Sequence, residues 1–288
     1  MRRKENDRIS STITDFLGQP TKWIFITLFA VSVILPLYWL ATNAVKVEAD
    51  YLASPPVIVP TRITTENFIK IFVNDGVGKG LYNSAVITAV STFLAASFGS
   101  LAAYALTKGK LGKRTRSIFA GWFLLQKMYP AVATAIPIYL VMRSLHLIDT
   151  KTAMIILNTS FNFPMVIWLM MGFFQEVPES IEESGKIDGC SMAQRFFYLV
   201  LPIVKPGLVA SAILTFVSTW NEFLFAVILS VRNAKTLPVI ISGFITDRGL
   251  EWGPMAATGI VIIIPVFVVV WLLQKDFVQG MTMGAVKG

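Results

Sequence analysis

Residues 182–202 read EESGKIDGCSMAQRFFYLVLP, and how this stretch folds decides the rest. It is a charged island in an otherwise very apolar chain. Glu176, Glu179, Glu182, Glu183 and Asp188 crowd its approach and first half. Ser180 with Glu183 three residues later has the spacing of an N-cap and capping box, and early acids suit the positive end of a helix dipole. Gly185 and Gly189 each loosen a helix by up to about 1 kcal/mol relative to alanine. Gly189 followed by Ser191 reads as a helix stop and a fresh N-cap. A second helix, Met192–Leu201, then presents Phe196, Phe197, Leu199 and Val200 on an apolar face, and Pro202 and Pro206 set its exit angle. Patterning alone allows two readings: a helical hairpin that only links two membrane spans, or a surface offered to a soluble partner.

Outside the island the chain is built for a bilayer. Of 288 residues, 55% are hydrophobic and 15% charged, against roughly a quarter charged in a soluble domain. About 20 apolar residues cross a bilayer, and six runs approach or reach that length: about Trp23–Thr42, Leu81–Leu106, Ser117–Val141, Ala153–Phe174, Leu208–Ser230 and Met255–Gln274. The expected fold is therefore an all-α membrane protein with six transmembrane helices and a helical insertion between the fourth and fifth spans. Three segments follow: a polar N-terminal stretch 1–22, a membrane domain 23–274 containing the insertion 176–206, and a tail 275–288. The first apolar run is full length, without a clear small-residue cleavage site, and is read as a retained span.

Six spans place both termini on one side. The segments on that side carry fifteen Lys and Arg, including the run TKGKLGKRTR at 107–116, and the opposite segments carry nine in longer loops. By the positive-inside rule the basic set is cytoplasmic, with the N- and C-termini inside. That rule also accounts for the net charge of +8 without invoking nucleic acid. One cysteine, Cys190, and one histidine, His146, leave no internal disulfide and no Cys or His metal cluster to build. No nucleophile–base pair or paired acids argue for a membrane enzyme. No internal repeat supports a secondary transporter, and no chain of membrane acids forms a proton relay.

Polar groups inside the spans are costly and therefore informative. Lys127 falls mid-span beside Tyr129, with Pro130 and Pro137 breaking the helix. It either faces a translocation path or pairs with a carboxylate, and Glu222 is the natural buried partner. Trp220, Asn221 and Glu222 combine aromatic, amide and carboxylate groups suited to a sugar, or equally to a helix–helix cluster. Asn158 and Asn162 carry the same two readings.

The island also resembles the coupling motif of ABC-importer permeases: Glu-Ala-Ala, three residues, Gly, nine residues, Ile, one residue, Leu-Pro. Glu183 stands at the Glu position, Gly189 at the Gly, and Leu199, Leu201 and Pro202 complete the spacing; Ser184 and Gly185 replace two alanines and Leu199 replaces Ile. PLYWLATNAVKVEADYLASPP, TWNEFLFAVILS and the ending FVQGMTMGAVKG are similar to the carbohydrate-type branch of these permeases, and the likeness covers nearly the whole chain. The resemblance implies a maltose-type, six-span subunit of a prokaryotic plasma-membrane importer. It implies that Glu182, Glu183, Ser184, Gly185, Asp188, Gly189, Leu201 and Pro202 couple to an ATPase. It further implies that Lys127, Tyr129, Asn158, Asn162, Trp220, Asn221 and Glu222 line a saccharide path. The implied partners are a second permease, two copies of a cytoplasmic P-loop ATPase and an extracellular solute-binding protein reached by loop 231–254. The chain has no Gly-x-x-x-x-Gly-Lys-Ser/Thr pattern, so ATP and Mg belong to the partner ATPase, and no cofactor or catalytic residue is expected on this chain.

Overall fold

The computed structural model describes residues 2–51, 53–109, 111–247 and 249–283, with side chains described between residues 21 and 275. The chain is almost entirely helical. α1 (Arg2–Val45), α2 (Glu48–Tyr51) and α3 (Glu66–Val73) precede the long α4 (Val77–Lys108). α5 (Lys113–Met128), α6 (Ala131–Ser144) and α7 (Lys151–Glu176) follow. Then come α8 (Glu179–Ile187), α9 (Met192–Gln194), a π-helical segment Arg195–Val200 and α10 (Leu201–Ile203). The chain closes with α11 (Lys205–Trp220), α12 (Leu224–Leu229), α13 (Leu237–Ser242) and α14 (Trp252–Met283). Among the described residues, the strand structure is a short hairpin in which Ile245–Thr246 pairs with Gly249–Leu250.

Among the described residues, four helices are long and apolar enough to cross a membrane: Thr21–Val45, Val77–Lys108, Lys151–Glu176 and Trp252–Lys275. Two further candidates are bent pairs, α5 with α6 at 94° and Met192–Ile203 with α11 at 82°. The chain is a multi-pass membrane protein with four to six such elements.

Two expected spans are thus not continuous. The third breaks at Tyr129–Pro130, because proline brings no N–H and pushes its predecessor out of the helical region; Tyr129 has ψ 129°. The fifth ends at Trp220, and a new short helix starts after Phe223. The N-terminal stretch, expected as a separate polar segment, continues directly into the first span as one helix.

The parallel pair α4 and α7 forms the centre. Ala95, Gly99 and Ala103 recur every four residues on α4 and are buried. A Cβ on Gly99 would lie 2.7 Å from Val166 Cγ1, so only glycine lets α7 come this close, as small residues do between membrane helices. Ser91 Oγ donates to Ile155 O across the pair at 3.3 Å. Three apolar clusters hang on this spine. One joins α4 and α7 to the hairpin α8–α10. A second joins α1, α3, α11, α13 and α14. The third joins α4, α6, α7 and α12.

At the end opposite the hairpin, the connections are fastened by side chains that carry no signal in the sequence. Asp149, in a left-handed backbone conformation (φ 60°), receives the backbone N–H groups of Val231, Arg232, Asn233 and Ala234 at 2.8–3.0 Å. Asn83 Nδ2 donates to Asn233 O and Lys235 O, and Ser84 Oγ accepts from Leu237 N. Lys70 is paired with Glu251. Two open clefts of about 320 and 680 Å³ lie among these segments.

Partial burial disfavours the ionised Asp149, but the four backbone donors outweigh it and bring its pKa down from 3.8 to about 2. A depressed carboxylate pKa stabilises the fold above its unfolded value, and that contribution fades as pH falls toward the folded value. Asp149→Asn is therefore expected to lower stability by about 1 kcal/mol at neutral pH, a figure reduced for partial exposure. The gap to the unaltered protein should close between about pH 4 and pH 2. Thermal unfolding of the two proteins in the same detergent across that range measures it.

Candidate functional site

The hairpin is the most polar structure the chain holds against its apolar bundle. α8 starts at Glu179 after Pro178, which offers no side-chain cap, so Ser180 lies within the first turn and the capping box expected there does not form. The turn expected at Gly189 is present. Gly189 has φ 75°, its N–H bonds Lys186 O, and Cys190 N bonds Gly185 O at 2.8 Å, the bond pair of a Schellman stop. Ser191 then caps the next turn through a complete capping box with Gln194.

The second arm is not the plain helix expected from the apolar spacing. Residues 195–200 wind as a π-helix. Phe196 and Val200 are buried, while Phe197 is exposed. π segments of this kind recur at functional positions. Here the wider turn directs Arg195 back toward α8. Arg195 Nε donates to Glu182 Oε2 at 3.3 Å, and its Nη1 donates to Cys190 O at 2.8 Å.

Glu182 and Glu183 are neighbours in sequence with opposite fates. Helix geometry turns roughly 100° per residue, so one faces in and the other out. Glu182 is 5% exposed and also accepts from the Tyr104 hydroxyl of α4 at 3.1 Å. Glu183, Ser184, Lys186, Asp188 and Gly189 are exposed. Gly185 is buried, and a Cβ there would meet Leu199 Cδ1 at 2.6 Å and Arg195 Cγ at 3.0 Å. Glycine at 185 therefore leaves room for the second arm, which touches α8 at that position. Leu201 is half-buried and Pro202 exposed at the exit. At the tip, Ile187 is 85% exposed, an apolar side chain presented among charges.

The intramembrane residues separate into two groups. Asn158 Nδ2 donates to Met154 O within α7. Asn162 Nδ2 donates to Asn158 O and to Thr219 Oγ1 at 3.1 Å, tying α7 to α11. Trp220 is 2% exposed, stacks on Phe216 with ring centroids 5.7 Å apart, and donates Nε1–H to Ile262 O of α14 at 3.1 Å. In this conformation Asn162 and Trp220 hold helices together, while the Asn158 side chain is buried and bonded within α7. Glu222 does not pair with Lys127; its carboxylate receives Phe225 N at 2.7 Å and Ala226 N at 3.1 Å and so starts α12. The salt bridges among the described residues are Lys70–Glu251 and Arg195–Glu182.

Lys127, Tyr129 and Asn221 form the second group. They are exposed and stand at the two helix breaks. Both breaks adjoin the middle of α7: Phe123 of α5 packs on Phe163 at 6.0 Å, and Phe225 of α12 stacks on Phe161 at 4.9 Å. Irregular backbone at membrane depth is tolerated where it is buried in protein or lines a water-filled cavity.

Among the described residues no group of three or more Asp, Glu, His or Cys side chains is placed to hold a metal ion. A helical membrane bundle that carries an ordered polar hairpin at one end and its interrupted helices in the middle is the build of a membrane permease subunit. The chain belongs to the family of binding-protein-dependent transport system inner membrane components, whose family model matches residues 95–275; members are pore subunits of ABC importers rather than enzymes. It is 35% identical to a probable ABC transporter permease protein, y4oR, of Sinorhizobium fredii, over 96% of this chain and 99% of that one. It is 34% identical to the trehalose transport system permease SugB of Mycobacterium tuberculosis, over 93% and 98%. It is 30% identical to the sulfoquinovosyl glycerol transport system permease SmoH of Agrobacterium fabrum, over 95% of both. In fold it is similar to a chain from the crystal structure of a bacterial ABC transporter involved in import of the acidic polysaccharide alginate. The TM-score there is 0.77 at 23% identity, covering 92% of this chain and 98% of that one.

The Asn162 bridge sets a test. Asn162→Leu is expected to cost about 1 kcal/mol of stability, by the scale of hydrogen bonds between membrane helices, and to leave substrate affinity unchanged. Thermal unfolding and a transport assay on the same preparation check both halves.

Proposed function

We propose that this chain is one of two permeases forming a saccharide path through a prokaryotic plasma membrane, driven by a separate P-loop ATPase and supplied by an extracellular solute-binding protein. The observation that carries the reading is the hairpin, in which a rigid glycine-turned stop presents exposed Ile187 between Lys186 and Asp188. An exposed apolar tip flanked by charges has the shape and chemistry to insert into a cleft on a soluble subunit. Glu183, Ser184, Asp188 and Gly189 border that tip and would meet the ATPase. Glu182 and Gly185 shape it from within, and Leu201 and Pro202 set its exit toward α11.

On this reading the hairpin and both termini are cytoplasmic, consistent with the basic run at 107–116. Residues 23–274 form a six-span membrane domain, in which α5 with α6 and α11 with α12 each count as one interrupted span, with the insertion at 176–206 as its coupling arm. The opposite end, with its clefts and loop 231–254, faces the binding protein. Saccharide as the cargo is supported by relatives named for trehalose and sulfoquinovosyl glycerol transport. Lys127, Tyr129 and Asn221 line the path at the helix breaks. Closure of the ATPase around ATP would favour one of two bundle arrangements, the differential binding that alternating access requires.

Two outcomes are expected. Gly189→Val places a β-branched residue at φ 75°, a strained conformation for an L-residue by roughly 1–2 kcal/mol. Transport should fall severalfold while the bundle still folds and the ATPase still hydrolyses ATP; normal transport by the variant would contradict the role given to the turn. Lys127→Met should change substrate affinity without a comparable fall in unfolding temperature; the reverse pattern would make Lys127 a structural residue.

A further inference from the structure

The Glu182 carboxylate is enclosed where three parts of the molecule meet. Its Oε2 is shared by the Tyr104 hydroxyl of α4 at 3.1 Å and by Arg195 Nε of the π segment at 3.3 Å. Its Oε1 is buried with no hydrogen-bond partner. The Tyr104 ring lies against Phe174 of α7 at 5.5 Å and Phe196 of the π segment at 5.0 Å. Arg195 closes the ring of contacts by donating to Cys190 O in the turn. One tyrosine thus ties α4, α7 and both arms of the hairpin to a single buried carboxylate.

Stability alone is a poor reason for this arrangement. A buried ion pair roughly breaks even against apolar packing of the same volume, and a carboxylate oxygen left without a donor adds a penalty. What such a network supplies is a fixed geometry, because every member is held by a directional bond and loses most when displaced.

We propose that Tyr104, Glu182 and Arg195 are positioning residues for coupling. They form a joint that makes the hairpin and α4 move as one rigid body, so displacement of the hairpin tip is delivered to the central helix pair. The proposal rests on the reading of the hairpin as the ATPase dock. In this joint Glu182 is the shared acceptor, Arg195 locks the two arms, and Tyr104 carries the connection into α4. The exposed tip residues would then be needed for docking, and these three for transmission.

The test uses the whole transporter, purified with its co-purifying subunits and held in lipid nanodiscs. Cys190, the single cysteine, is first replaced by serine. Spin labels are placed at Phe98→Cys on α4 and Tyr198→Cys on the hairpin, both exposed positions. The distance between them is measured with and without ATP plus vanadate. In the otherwise unaltered protein we expect one narrow distance that nucleotide does not change. In Glu182→Gln and Arg195→Gln we expect ATP plus vanadate to broaden or shift it by about 2–5 Å, the scale of helix shifts in switching proteins. The double variant should be no worse than either single one, as expected for groups acting as a unit. Tyr104→Phe keeps the ring packing and loses only the hydroxyl, so it should show the same change in smaller measure.

Variants whose distance stays narrow with nucleotide would overturn the proposal. So would variants equally broad without nucleotide, which would mark the three residues as fold elements only, and so would a nucleotide-driven shift in the unaltered pair. Absence of an ATPase from the unaltered preparation would instead overturn the docking reading, and the joint with it.

Discussion

The close parallel packing of α4 on α7 is the constraint on which the other contacts depend. It exists because Ala95, Gly99 and Ala103 keep one face of α4 nearly free of side-chain bulk, so that Val166 can sit where a Cβ on Gly99 would be. In lipid no hydrophobic force drives two apolar helices together, and close van der Waals contact over a long interface takes its place. Both ends of this pair are then used as anchors. At one end Tyr104 and Phe174 hold the polar hairpin. At the other, Asn83 and Ser84 of α4, with Asp149 just ahead of α7, hold the connection that follows α12.

The helix breaks follow from the same economy. A membrane helix can be interrupted only where the freed backbone groups find partners or water. Glu222 answers this at the second break, since its carboxylate accepts from the first free amides of α12. A glutamate read as the charge partner of Lys127 is thus a helix cap. Lys127 is left exposed at the first break.

Much of this was legible in the sequence, for reasons that can be named. Run length located the four long membrane helices, since the bilayer sets a length that few other structures need. The Gly189–Ser191 stop and restart was legible because it rests on local backbone chemistry, φ > 0 and a capping hydroxyl. What was not legible depends on direction. Glu182 and Glu183 are alike in composition, and only the helical phase, fixed by contacts of α8 with the π segment and α4, decides which is buried. Trp220 carries the same side chain in a sugar site or in a core; its burial was settled by Phe216 and by a carbonyl of α14, forty-two residues away. Pro130 announced a break but not its 94° angle. Asp149 had no signal, because its donors lie more than eighty residues further on.

The central claim is that the exposed tip of the hairpin docks on a soluble ATPase. The most direct measurement is site-specific cross-linking from position 187, with Ile187 replaced by a photoreactive residue in the chain expressed in its own membrane. The account predicts a cross-linked product in which a P-loop ATPase subunit is joined to this chain, with a yield that changes when ATP plus vanadate is added. Cross-links to lipid or to other membrane proteins only, in membranes where transport is intact, would contradict it.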